Sequence, residues 1–118
     1  MYIERRTVGG VVVLDIKGKM VLGDGDVLLK TLVDSLASEG KKKVLLNLAE
    51  CPYIDGAALG EIVRSYVTVK RQGGDLRLLN LPTRVANLLV ITKFKSDIRE
   101  HNVFDIYDNE AEAVASFR

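Results

Sequence analysis

Residues Val44-Leu45-Leu46-Asn47-Leu48 form a short, nearly continuous apolar run that follows Lys41-Lys42-Lys43. So brief and apolar a run predicts a strand covered on both faces, and therefore a central position in a sheet with layers on either side. The neighbouring segments supply those layers. From Val27 the apolar residues recur at Leu28, Leu29, Leu32, Val33, Leu36 and Ala37, a helical period that stops before Gly40. A second helical stripe runs through Leu59, Ile62, Val63, Tyr66, Val67 and Lys70 and is closed by Gly73-Gly74 before a strand from Leu76 to Leu81. Upstream, Tyr2 to Val8 and Val11 to Ile16 are rich in β-branched and aromatic types, and Gly9-Gly10 between them supplies the positive φ angles of a tight hairpin turn. Past Pro82, Val85, Leu88, Leu89 and Thr92 mark a third helix, Val103 to Tyr107 a strand, and Ala111, Val114 and Phe117 a final helix capped by Asn109 or Asp108.

Strands alternating with helices of this length require crossover connections, so the predicted fold class is α/β. It is a mixed, mostly parallel sheet with an N-terminal β-hairpin, packed against about four helices. Residues 1–118 are read as one domain, since the chain contains no linker, internal repeat or low-complexity tract.

Composition narrows the function classes. Hydrophobic residues make up 47% and charged residues 28%, the balance of a folded chain and not of a disordered one. The formal charge of +1 gives no overall attraction to nucleic acid or to an anionic membrane surface. No stretch approaches the ~20 apolar residues needed to span a bilayer, and the start lacks a signal peptide's apolar core, so the expected location is cytoplasmic. Charge is nevertheless uneven: residues 64–95 hold Arg64, Lys70, Arg71, Arg77, Arg84, Lys93 and Lys95 against the single acid Asp75, while residues 97–118 are net acidic. Such a segment either docks an acidic surface or forms the solvated faces of helices.

Catalytic constellations are poor, and no enzyme, metal or cofactor is expected. Cys51 and His101 are the only cysteine and the only histidine, too few for a multi-cysteine zinc site, and they lie 50 residues apart with no third partner for nucleophilic chemistry. Asp24 and Asp26 do not complete an EF-hand loop, because no glutamate stands at its required spacing. The Gly23-Asp24-Gly25-Asp26 segment matches neither the P-loop nor the dinucleotide fingerprint. It reads as a turn before a helix, with Asp24 or Asp26 as N-cap, and Gly23, Asp24 and Gly25 as a candidate ligand or partner loop. The most informative stretch is Asn47 to Gly60: a buried strand, a short connection and an abrupt helix start that Asp55 is suited to cap.

Leu45-Leu-Asn-Leu, Tyr53-Ile-Asp, Leu59-Gly60-Glu-Ile-Val and Gly73-Gly74-Asp-Leu-Arg-Leu-Leu-Asn together resemble the STAS domain of bacterial anti-sigma factor antagonists, and the likeness covers nearly the whole chain. The resemblance implies a binding module acting on an anti-sigma factor that is also a serine kinase. It also implies contact through Asp55, Gly56, Ala57, Ala58, Leu59 and Gly60, and partner switching in transcription regulation. In that family the switch is a serine directly after the aspartate, in the pattern Asp-Ser-Ser-Gly-Leu-Gly, and its phosphorylation blocks binding. Here Asp55 and Leu59-Gly60 match, whereas Gly56 stands at the phosphorylated position, Ala57 at the second serine and Ala58 at the glycine. Glycine has no hydroxyl to accept a phosphoryl group, so phosphorylation at that position is absent. Ser65 is no substitute, lying roughly 13 Å further along the helix axis. Val21 stands where the family often carries an acid. A homodimer is compatible with this reading, as is an alternative role as an accessory subunit of a lipid-transport ATPase or a signalling scaffold.

Overall fold

The computed structural model describes residues 1–85 and 105–117. Its centre is β3 (Lys43–Glu50), flanked on one side by β2 (Val11–Lys17) and β1 (Tyr2–Val8), and on the other by β4 (Asp75–Leu79) and β5 (Ile106–Tyr107). The spatial order is therefore the chain order. β1 and β2 pair antiparallel; β2, β3, β4 and β5 run parallel. Gly9 and Gly10, at φ of 55° and 81°, turn the hairpin in the conformation that only glycine adopts at low cost in both positions.

Two helices connect β2, β3 and β4: α1 (Gly25–Ser38) between β2 and β3, and α2 (Gly56–Arg71) between β3 and β4. Both lie on one face of the sheet. Leu29, Val33 and Leu36 of α1 and Ala58, Leu59, Ile62 and Val69 of α2 pack with Val12, Leu14, Ile16, Val44, Leu46, Leu48, Leu76 and Leu78 in the larger core. The opposite face is covered by α3 (Glu110–Ala115), where Ala113 and Phe117 meet Val11, Val13, Leu45 and Leu79. Successive β3 residues thus enter different cores, which is why its run is apolar at nearly every position. The exception, Asn47, is matched by polar partners: its amide donates to Asp15 at 2.8 Å and accepts from Asn80 at 3.1 Å.

Arg6 extends this polar strip toward α3. Its guanidinium forks onto Asp15 and also bonds Glu110, so a charged cluster fastens the C-terminal helix to the hairpin. The arginine holds both carboxyls below their ordinary range.

The observed elements amend several expectations. α1 begins at Gly25, and the structure resolves the choice between its two aspartates: Asp24 occupies the N-cap position without a side-chain cap bond, while Asp26 accepts from the N–H of Gly23 and Val27. α1 and α2 both stop at a glycine turn in which the second residue past the cap returns a bond to the last turn, Lys41 N–H to Leu36 O and Gly74 N–H to Val69 O. In α2, Val67 is exposed and Ser65 is buried, so the packed stripe runs through Ala58, Ile62, Ser65 and Val69. β4 ends at Leu79 because Asn80 turns with a positive φ. Asn109 caps α3 by accepting from Glu112 N–H, and Ala113, not Ala111, is the buried alanine there. Residues 83–85 are helical, while Leu88, Leu89, Thr92, His101 and Val103 lie outside the described residues.

Leu46→Ala should therefore cost about 2–5 kcal/mol of unfolding free energy, the range for emptying a fully buried leucine site. Val67→Ala, on the exposed side of α2, should stay within about 0.5 kcal/mol. Urea titrations of both variants check this assignment of faces; equal losses would contradict it.

Candidate functional site

The connections β2–α1 and β3–α2 both leave the C-terminal edge of the parallel strands, where open α/β sheets gather their functional loops. Backbone pairing locks the two together. Gly18 N–H donates to Glu50 O at 2.9 Å, Met20 N–H to Tyr53 O at 2.9 Å, and Asp55 N–H to Met20 O at 3.1 Å. Met20 and Ile54 also form an isolated parallel bridge, and both side chains are buried.

Asp55 completes the junction. One carboxylate oxygen accepts from Ala58 N–H at 2.8 Å and caps α2; the other accepts from Leu22 N–H at 2.9 Å and holds the preceding loop. The Ala58 N–H, followed by those of Leu22 and Ala57, keeps this carboxyl below its ordinary value. The N-terminal turn of a helix is also the positive end of its dipole, which acts in the same direction.

The residues named from the sequence separate into two sets. Gly56, Ala57 and Gly60 are exposed and Asp55 is half-buried, so these form an accessible strip along the start of α2. Ala58 and Leu59 are buried, and their side chains serve the core beneath that strip. A Cβ built on Gly56 or Gly60 meets nothing within 4 Å, and neither residue needs a positive φ. Neither glycine is therefore demanded by packing. In the preceding loop Gly23 and Asp24 are exposed, whereas Gly25 is buried so closely that a Cβ would come within 2.5 Å of the Met20 side chain.

Two exposed apolar side chains border the strip: Leu22 is 71% exposed and Tyr53 37% exposed. Val27 and Leu28, on the first turns of α1, are exposed apolar side chains as well. Sequence reasoning passes over Leu22 because it sits alone in a turn, outside any strand or helix period. Its only signal is a large apolar residue next to a Gly-Asp-Gly-Asp segment.

Chemistry at Cys51 is disfavoured by its setting. The thiol is buried, burial pushes its pKa up, and its Sγ lies 3.5 Å from Tyr53 O. Among the described residues no three His, Cys, Asp or Glu side chains gather in a way that would hold a metal ion. No helix of the described residues is long and apolar enough to cross a membrane.

The family model for the STAS domain matches residues 2–113. The chain belongs to the STAS domain family. Within it the protein resembles the anti-sigma factor antagonists: it is 35% identical over 85 residues to the anti-sigma-B factor antagonist of Bacillus subtilis, covering 72% of this chain and 76% of that protein. The fold is shared more widely. The Thermotoga maritima protein TM1081 superposes with a TM-score of 0.85 at 24% identity, covering 98% of this chain and 94% of the other. The Bacillus cell fate determinant SpoIIAA in its phosphorylated form superposes at 0.75 with 13% identity, covering 99% and 100%.

On this STAS scaffold, part of the basic segment is internally neutralised. Arg64 bonds Glu61 and Asp34, and Arg77 bonds Asp75. Lys93 and Lys95 lie outside the described residues.

A carboxyl whose pKa is depressed on folding contributes its full stability above the unfolded value, near ~4, and loses it as pH falls through the lower folded value. Asp55→Asn keeps one acceptor oxygen for Ala58 N–H but offers Leu22 N–H an amide NH2. The variant should show a lower urea midpoint at neutral pH and a shallower loss of stability into the acid range. Parallel pH profiles for the two chains would contradict a titrating role for Asp55.

Proposed function

We propose that this STAS protein is a non-enzymatic antagonist that binds an anti-sigma factor or switch serine kinase through the exposed strip Asp55, Gly56, Ala57 and Gly60, bordered by Leu22 and Tyr53. The observation that carries the reading is the likeness to the Bacillus subtilis anti-sigma-B factor antagonist, combined with an accessible helix start at Asp55. The strip suits a protein partner better than a small substrate. It is made of small residues and backbone beside two exposed apolar side chains, and it holds no acid, base and nucleophile set.

The further reading is that partner release does not run through phosphorylation of α2's first residue. Gly56 offers no hydroxyl, whereas SpoIIAA, which shares the fold, has been solved in phosphorylated and unphosphorylated forms. A phosphate carries a charge of about −1.5 to −2 and would sit one residue from the Asp55 carboxylate on the contact strip. Without it, the protein stays in the binding-competent state. Ser65 offers no second route, since it is buried and its hydroxyl bonds Glu61.

Gly56→Ser separates these ideas from a change of fold. The open space at this position predicts a stability change within about 0.5 kcal/mol. Binding of both chains to the switch kinases of the same genome is then measured with and without ATP. The native chain should bind with an affinity that ATP leaves unchanged, and the serine variant should bind and be released when ATP is added. Loss of native binding on addition of ATP would overturn constitutive binding. Absence of binding by both chains, with recovery of a membrane ATPase or a multi-subunit scaffold, would replace the proposal by the accessory-subunit role.

A further inference from the structure

At the other end of α2, about 24 Å from Asp55 along a 16-residue helix, the sheet's N-terminal edge holds a concavity of about 370 Å³. Its wall carries Lys42, Lys43, Lys70 and Arg77 against one carboxylate, Asp75. Backbone packing explains why the space is open. Gly73 and Gly74 turn the chain from α2 into β4, and a Cβ on Gly74 would lie 2.3 Å from the Lys42 carbonyl oxygen, so this wall is built from backbone. Asp75 N–H donates to that same oxygen at 2.7 Å, which fixes the start of β4 against the start of β3.

The carboxylate is already committed. Asp75 Oδ2 accepts from Arg77 at 2.8 and 3.1 Å, and Oδ1 accepts from Leu76 N–H at 3.0 Å with Lys70 at 3.8 Å. Arg77 is held further by the Tyr107 hydroxyl at 3.1 Å and by Asp105 at 3.6 Å, and lies over the Phe117 ring at 4.9 Å, so its guanidinium is fixed before any ligand arrives and is shared between two carboxylates. Lys42 and Lys43, among the described residues, make no ion pair. The concavity therefore sets one immobilised, carboxylate-paired cation beside two exposed lysines that make no ion pair among the described residues, and these two leave positive charge uncompensated at its rim.

We propose that this recess binds a phosphate-bearing anion, with Lys42 and Lys43 closing on the phosphate beside Arg77; the Gly73-Gly74 turn, whose N–H groups donate to the carbonyls of Lys70 and Val69, shapes the wall only. Its volume admits a group larger than one phosphate, and its charge favours a diphosphate over a monoanion. The site is independent of the Asp55 strip, so its presence or absence leaves the partner-binding reading untouched.

The test titrates the native chain and the exposed-residue variant Lys42→Gln/Lys43→Gln with sodium pyrophosphate, at ionic strength held constant with chloride, following backbone amide shifts. Saturable shifts centred on Gly73, Gly74 and Ser116, with affinity at least about ten-fold weaker in the variant, are expected from the loss of two charge-assisted contacts. Arg77→Gln, checked by thermal unfolding, supplies a second variant with the same expected weakening. A parallel arm measures retention on vesicles of phosphatidylcholine with and without a phosphoinositide. Retention only on the phosphoinositide vesicles, lost in the lysine variant, assigns the site to a lipid headgroup; pyrophosphate saturation without retention assigns it to soluble phosphate. Shifts that grow linearly over all surface lysines and are unchanged in the variants, together with no selective vesicle retention, would overturn the proposal.

Discussion

The burial of β3 on both faces is the constraint from which the architecture follows. A strand with apolar side chains pointing both ways needs two layers, and parallel neighbours on either side need crossover helices. Crossovers of a single hand, repeated from β2 to β3 and from β3 to β4 in one direction across the sheet, bring both helices to the same face. The other face is left to α3 and the polar strip around Asn47. The same connectivity delivers the turns before α1 and α2 to one edge of the sheet. The position of the Asp55 strip is thus a consequence of sheet topology, before any functional residue is considered.

At that edge, a single carboxylate has two structural duties. Asp55 caps a helix and anchors the turn before another, so the two segments that frame the exposed strip are held in register by a pair of charge-assisted bonds. The residues after Asp55 divide by helical geometry: positions 58, 59 and 62 turn inward, while 56, 57 and 60 turn outward. This division gives the outward positions freedom to vary without disturbing the core, and at Gly56 there is room for a side chain that the native chain does not carry.

Much of this was legible in the residues themselves. The hairpin followed from two β-rich runs around Gly-Gly, the ends of α1 and α2 from their glycines, and the cap of α2 from an aspartate before small residues. These signals are local, and local geometry decides them. The faces of α2 were less legible: Val67 and Ser65 are ordered by what packs against them, and a buried serine that bonds Glu61 has no mark in the hydrophobic period. Ala58 and Leu59 lie within the family motif, yet their burial depends on the sheet beneath. The apolar border at Leu22 and the role of Asn47 were hidden for a related reason. Each depends on residues at least 30 positions away, Asp55 for the first and Asp15 and Asn80 for the second.

The asymmetry between the two faces has a dynamic meaning. The larger core is closed by helices of 14 and 16 residues, whereas the smaller cluster is closed by a six-residue helix fastened through Arg6, Asp15 and Glu110. Helices that short are marginal by themselves and persist through what they dock on. Release of α3 would uncover Val11, Val13, Leu45 and Leu79 without disturbing the helices over the main core, which makes the C-terminal helix the described element that can open by itself at least cost.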